Sequence, residues 1–117
     1  SHDVMAFADF IAHLSDASNM FCSMVLGEQN PEPGIAKAKK GKEELSAALD
    51  RALTYCDKAY GSLNDTTAKQ TVKAFGSERT KAAVLELNTA HSFEHYGNLV
   101  TYMRIRGLVP PSSEGRR

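Results

Sequence analysis

The chain has 117 residues, a length that predicts a single domain. Its 14 Lys and Arg residues balance its 14 Asp and Glu residues. The charged residues are spread along the chain and form no basic cluster, which argues against nucleic-acid binding by electrostatics alone. A hydrophobic share of 42% with 24% charged residues excludes intrinsic disorder. Every apolar run is too short to span a bilayer, and no signal-like pattern is present. We therefore expect no membrane partner and a soluble, cytoplasmic protein.

The first predicted element is a long helix from Val4 to Leu26, where apolar residues recur at helical spacing over a broad face. Asp3 stands where it can cap the start of this helix. Gly27, followed by two prolines, ends it. The segment from Gly27 to about Gly41 is then predicted to be a loop.

A second helix is predicted from about Lys42 to Tyr60, because apolar residues form one stripe along it. Asn64 and Asp65 then start a short helical turn that extends to about Lys73. Beyond it, the Phe75-Gly76 pair turns the chain again.

The last helix is the longest, predicted from about Ser77 or Thr80 to Arg106, and Gly107 ends it. No segment alternates with period two over a useful length, so we expect negligible strand content. The predicted fold class is all-α: an up-down helical bundle of three long helices and one short one, forming a single domain over residues 1–117. Faces this wide favour a fourth helical layer, supplied by a missing helix or by a partner chain, and hence a homodimer or a truncated bundle.

The two cysteines, Cys22 and Cys56, stand singly in helix-patterned segments without CxxC spacing. Cys56 falls within the apolar stripe of its helix, and Cys22 is expected to have a packing role. We therefore predict two small hydrophobic side chains without a disulfide, in a reducing compartment.

Three histidines form a candidate metal site. His91 and His95 are four residues apart on the last helix, so both side chains can reach one point. His13 shares the inward line of the first helix with Phe10 and Met20, which makes it a third candidate ligand. Neutral imidazole is a good ligand for zinc and nickel, and three protein ligands leave an open position for water or substrate. The competing interpretation is that these are hydrogen-bonded core histidines without a metal.

Four polar residues near the histidine pair are candidates for a supporting role. Tyr102 lies close to the line that bisects the pair, and Asn88 and Asn98 flank it one turn away. They could orient a histidine or a substrate, or satisfy one another inside the bundle. Glu94 is rotated away from the pair, which favours a supporting or structural role. With His91 and His95 it also matches the H-x-x-E-H motif of inverted zincins. This motif is short, and no other feature of the sequence supports that assignment.

Two segments resemble the DinB-like (DinB/YfiT) family. Residues 88–104 and the tail at 107–113 resemble its C-terminal helix and tail, and residues 7–17 resemble the helix that carries its first metal-binding histidine. The resemblance implies a four-helix bundle with a divalent metal on three histidines, His13, His91 and His95. Members of the family begin with another long helix, which this sequence is expected to lack, so that dimerisation or domain swapping would fill the gap.

The resemblance also implies a class of function, because its members include thiol-cofactor-dependent S-transferases and isomerases. We expect a metal-dependent enzyme of the thiol S-transferase or hydrolase type. In such an enzyme, zinc or nickel bound to the three histidines would bind a low-molecular-weight thiol or water and present it to a small-molecule substrate. The alternative is a non-catalytic helical module for dimerisation or partner binding, with a structural metal or none.

Overall fold

The computed structural model describes residues 6–115, which form three long helices and one β-hairpin. The elements are α1 (Phe7–Leu26), α2 (Lys42–Gly61), β1 (Thr71–Ala74), β2 (Ser77–Thr80) and α3 (Lys81–Ile105), with single 3-10 turns at Thr67–Lys69 and Pro111–Ser113. The predicted all-α class is confirmed. The predicted helix start at Val4 and its cap at Asp3 lie outside the described residues. No helix within 6–115 is long and apolar enough to cross a membrane.

Helix α1 is the centre of the fold, because it packs against both α2 and α3 while those two make few contacts with each other. Ala12, in the second turn of α1, packs with Leu45 in the first turn of α2. Towards the other end of both helices, Cys22 of α1 meets Cys56 of α2. Helices α1 and α2 therefore run in the same direction.

Helix α3 runs in the direction opposite to α1. Phe10 and Leu14, near the start of α1, pack with Leu99 near the end of α3. Val25, near the end of α1, shares a core cluster with Val84 near the start of α3. The middle turns of the two helices consequently lie level with each other.

The long connection between α1 and α2 is fixed to α1 by a partly buried carboxylate. The carboxylate of Asp16 accepts hydrogen bonds from the backbone N–H groups of Ile35 at 2.8 Å and Ala36 at 2.9 Å. Ile35, only 1% exposed, packs with Ala12 of α1 and Leu45 of α2. The connection brings the chain back so that α2 runs alongside α1.

The β-hairpin corrects the prediction of negligible strand content and of a helical turn that extends to about Lys73. Strands β1 and β2 are antiparallel, with Ala74 paired to Ser77 across a two-residue turn. The turn residues, Phe75 and Gly76, have φ values of 55° and 79°, the left-handed conformation that a tight hairpin turn requires. Each strand has four residues, too few for alternation to be recognised in the sequence.

The hairpin also determines where α3 begins. Thr80, the last residue of β2, pairs with Thr71 of β1 and is the N-cap of α3. Its hydroxyl accepts a hydrogen bond from the backbone N–H of Ala83 at 3.1 Å. Helix α3 therefore starts at Lys81, one residue after the predicted start at Thr80. The alternative predicted start at Ser77 is wrong, because Ser77 lies in β2.

A disulfide joins Cys22 of α1 to Cys56 of α2, with 5.3 Å between the Cα atoms, and this corrects the prediction of two unpaired cysteines. Both residues are buried and pack in the core, as predicted. The parallel packing of α1 and α2 brings the two apolar stripes face to face and the sulfurs together. Disulfides persist in oxidising environments, so the two cysteines do not support the predicted reducing compartment.

The disulfide closes a segment between residues 34 positions apart, so its reduction should lower the free energy of unfolding by about 2 to 4 kcal/mol. Urea denaturation with and without a reducing agent measures this difference. The matched control is the double variant Cys22→Ala/Cys56→Ala, which should not respond to the reducing agent. An unchanged midpoint for the wild-type protein after complete reduction, verified by thiol labelling, would contradict the prediction.

Candidate metal centre

Three histidines from two helices meet where the middle turns of α1 and α3 face each other. The Nε2 atom of His91 lies 3.0 Å from Nε2 of His13 and 3.1 Å from Nε2 of His95. The candidate ligand atoms of all three residues lie within 4.8 Å of one another. The structure thus brings together the three residues that the sequence singles out.

Two buried phenylalanines of α1 pack against these rings. The Phe10 ring centroid is 5.3 Å from that of His95, and the Phe21 centroid is 6.3 Å from that of His91. Both phenylalanines are only 7% exposed. Neither phenylalanine was predicted to belong to the site. The signal for Phe10 was its position on the same inward line of α1 as His13.

The surroundings of His91 and His95 favour neutral imidazole. Partial burial is the main cause that lowers the pKa of both residues below the usual histidine value, and the neighbouring imidazoles lower it further. The nearby carboxylate of Glu94 acts in the opposite direction on both pKa values and does not outweigh burial. Neutral imidazole is the form that binds a metal ion.

The nitrogen geometry fits a divalent metal ion. A neutral imidazole has one N–H group, so three clustered Nε2 atoms cannot all satisfy one another by hydrogen bonding. Metal–nitrogen bonds of about 2.0–2.1 Å at tetrahedral angles place neighbouring ligand nitrogens about 3.3 Å apart, close to the 3.0 Å and 3.1 Å in this structure. This group of histidines could hold a metal ion.

Asn88, a predicted supporting residue, connects α3 to α2. It is 5% exposed, and its Nδ2 donates a hydrogen bond to Tyr60 Oη at 3.1 Å and lies 3.9 Å from Cys22 Sγ. The Tyr60 hydroxyl in turn donates to the backbone carbonyl of Leu85 at 3.1 Å. Sequence reasoning missed Tyr60 as a bridging residue, because the partner of its hydroxyl lies on another helix.

The other three predicted supporting residues occupy different surroundings. Tyr102 packs against Phe10, with 5.9 Å between ring centroids, and so lies behind the ring that contacts His95. Asn98 is exposed, and its side chain has no hydrogen bond to any residue within 6–115. Glu94 is also exposed, and it lines a cavity beside His91.

Two openings lie on either side of α3. The first, here called the α2–α3 groove, has a volume of 510 Å³ and lies over α1 between the other two helices. The second, here called the His91 cavity, has a volume of 440 Å³ and is bounded by α1, the hairpin and α3. The groove is larger but has none of the three histidines in its wall, whereas His91 lines the cavity. Of these two openings, the His91 cavity is therefore the one with a candidate metal ligand in its wall.

The family was identified by comparison with known proteins. The model of the DinB family matches residues 1–117. An uncharacterized protein of Bacillus subtilis (strain 168), YjoA, is 28% identical to this chain over 109 residues, which cover 88% of this chain and 68% of YjoA. Because the family model matches the sequence from end to end, the chain belongs to the DinB family.

Proposed function

We propose that this chain is a metal-dependent enzyme of the thiol S-transferase or hydrolase type, with a divalent metal, zinc or nickel, held by His13, His91 and His95. The observation that carries the proposal is the convergence of three Nε2 atoms from two helices beside an open cavity. When bound, the metal would lower the proton affinity of a thiol or water and so supply a nucleophile near neutral pH. A small-molecule electrophile is the proposed substrate.

The residues around the histidines have distinct tasks in this proposal. Phe10 and Phe21 pack on the imidazole rings and limit their rotation, which fixes where the Nε2 atoms point. Burial keeps His91 and His95 neutral and able to bind metal. The His91 cavity provides the space in which a substrate would approach the ligand group.

Metal content tests the proposal directly. Purified wild-type protein should contain about one zinc or nickel ion per chain by elemental mass spectrometry, and His95→Ala should lose most of it. The matched control is Asn98→Ala on the same helix, and this variant should keep the metal. The Asn98 side chain is exposed and has no hydrogen bond within residues 6–115. Absence of metal from the wild-type protein after incubation with either ion would refute the proposal.

Thermal unfolding separates a metal site from a cluster of core histidines. Added metal at about 100 times its Kd should stabilise the wild-type protein by about 2.7 kcal/mol and His95→Ala far less. If His95→Ala is destabilised equally in the presence and absence of metal, the histidines contribute packing and hydrogen bonds only.

The lowered pKa values of His91 and His95 predict a pH dependence for the metal-free protein. Below the usual histidine pKa of about 6.5, the unfolded chain binds protons on these residues before the folded chain does. The free energy of unfolding should therefore fall as the pH decreases through this range. Urea denaturation in EDTA between pH 7 and pH 5 measures the slope, which should be shallower in the double variant His91→Gln/His95→Gln. Equal slopes would contradict the pKa assignment.

We further propose that two copies of the chain associate through the α2–α3 groove, and this supports a second candidate function as a dimerisation module. Its walls are mainly apolar, and Asp57 is the one charged residue among those that line it. Leu53 on α2 is 51% exposed and Phe93 on α3 is 71% exposed. Exposed apolar surface of this kind is typical of interfaces, and a second copy presents the same face, so the contact would be self-complementary.

Sedimentation tests this association. The wild-type protein should be dimeric at micromolar concentration, and Phe93→Asp should be monomeric because a carboxylate would be buried in the interface. Ile105→Asp is the matched control, since Ile105 is 74% exposed on the same helix but does not line the groove. A monomeric wild-type protein, or equal dissociation by both variants, would rule out association through the groove.

A further inference from the structure

The His91 cavity combines apolar walls with a few polar groups, the composition typical of small-molecule sites, and its 440 Å³ lies in their size range. The apolar lining residues are Phe21, Phe75, Leu87 and Ala90, and the polar ones are Arg79, His91 and Glu94. Arg79 is the one arginine or lysine among the residues that line this cavity. Its guanidinium group therefore determines which ligand charge the cavity accepts.

Arg79 is held in place by the hairpin. Its Nε donates a hydrogen bond to the carbonyl oxygen of Ala74 at 3.3 Å, and its guanidinium carbon lies 5.9 Å from the centre of the Phe75 ring. These contacts orient the planar group and reduce the entropy lost when it binds a ligand. Within residues 6–115 its two Nη atoms have no hydrogen-bond or ion-pair partner, although Glu94 lines the same cavity. The Nη groups are thus free to donate.

We infer that the His91 cavity binds a small molecule with a carboxylate group, which Arg79 recognises while the other end of the molecule reaches the three histidines. Two parallel N–H groups of a guanidinium match the two oxygens of a carboxylate. Glu94 in the same wall disfavours a ligand with a second negative charge, because like charges repel. The inference rests on the proposed function, which places the reacting end of the ligand at the three histidines. It adds that the other end is a carboxylate bound by Arg79.

The inference is tested with two hydroxamic acids that bind metals in the same way. Acetohydroxamic acid has a methyl end, and succinic monohydroxamic acid has a carboxylate end. Hydroxamates replace thiols in this test because thiols would reduce the Cys22–Cys56 disulfide. Binding to cobalt-loaded protein is followed by the visible absorption of the metal, which is a readout independent of activity.

The wild-type protein should bind the carboxylate-bearing hydroxamate at least about tenfold more tightly than acetohydroxamate, the size expected for a charge-assisted hydrogen-bonded pair. Arg79→Gln should remove this preference and leave the affinity for acetohydroxamate unchanged, which also shows that the variant folds. Arg79→Lys should keep part of the preference. Arg104→Gln, the same change on the exposed part of α3, controls for a general effect of charge and should keep all of it.

Failure of the inference can be distinguished from failure of the proposed function. If the protein binds metal but shows no preference between the two hydroxamates, or if Arg79→Gln keeps the preference, the inference is overturned and the metal site stands. If the protein binds no metal, the proposed function fails and calorimetry with the monocarboxylate butyrate on the metal-free protein decides the inference. Saturable binding that Arg79→Gln abolishes supports carboxylate recognition, and its absence refutes it.

Discussion

The antiparallel contact between α1 and α3 is the constraint on which the rest of the structure depends. Because the α-helix repeats every 3.6 residues, one face of α1 carries Phe10, His13 and Phe21 towards α3. On α3, His91 and His95 occupy successive turns of the facing side. The contact therefore places imidazoles at its middle with an aromatic ring on either side along the helix axis. Access to the imidazoles is left on the side of α3 where His91 lines the cavity.

Aromatic rings pack against the imidazoles of this group. In metal sites the second imidazole nitrogen is normally held by a carboxylate, carbonyl or water. Here the Nδ1 atoms of His91 and His95 are buried and have no hydrogen-bond partner within residues 6–115. The aromatic contacts of Phe10 and Phe21 therefore orient the rings where no residue within 6–115 does so through Nδ1.

The sequence predicts those features of the fold and site that depend on local periodicity. The end of α1 and the extent of α2 follow from helical spacing and from the glycines near these ends, and the spacing of His91 and His95 follows from the helix repeat. The disulfide was missed because it depends on the direction of α2 relative to α1. That direction is set by a connection anchored through Asp16 to the backbone of Ile35, which is a tertiary contact. The hairpin was missed because its strands have four residues each.

The two flanks of α3 differ in chemistry, and the links across the helix are few. The His91 cavity has opposite charges in its wall, whereas the α2–α3 groove is mainly apolar. Because α2 and α3 make few direct contacts, the hydrogen bonds of Tyr60 with Asn88 and with the Leu85 carbonyl are an important connection between them.

Asn88 precedes His91 by three residues, nearly one helical turn, so a displacement of α3 at Asn88 would also move the imidazole of His91 relative to His13. The Cys22–Cys56 disulfide limits such movement on the other side, because it holds α2 to the helix that carries His13. Helix α3 therefore contributes to both openings: Asn88 lines the groove and His91 lines the cavity, nearly one turn apart.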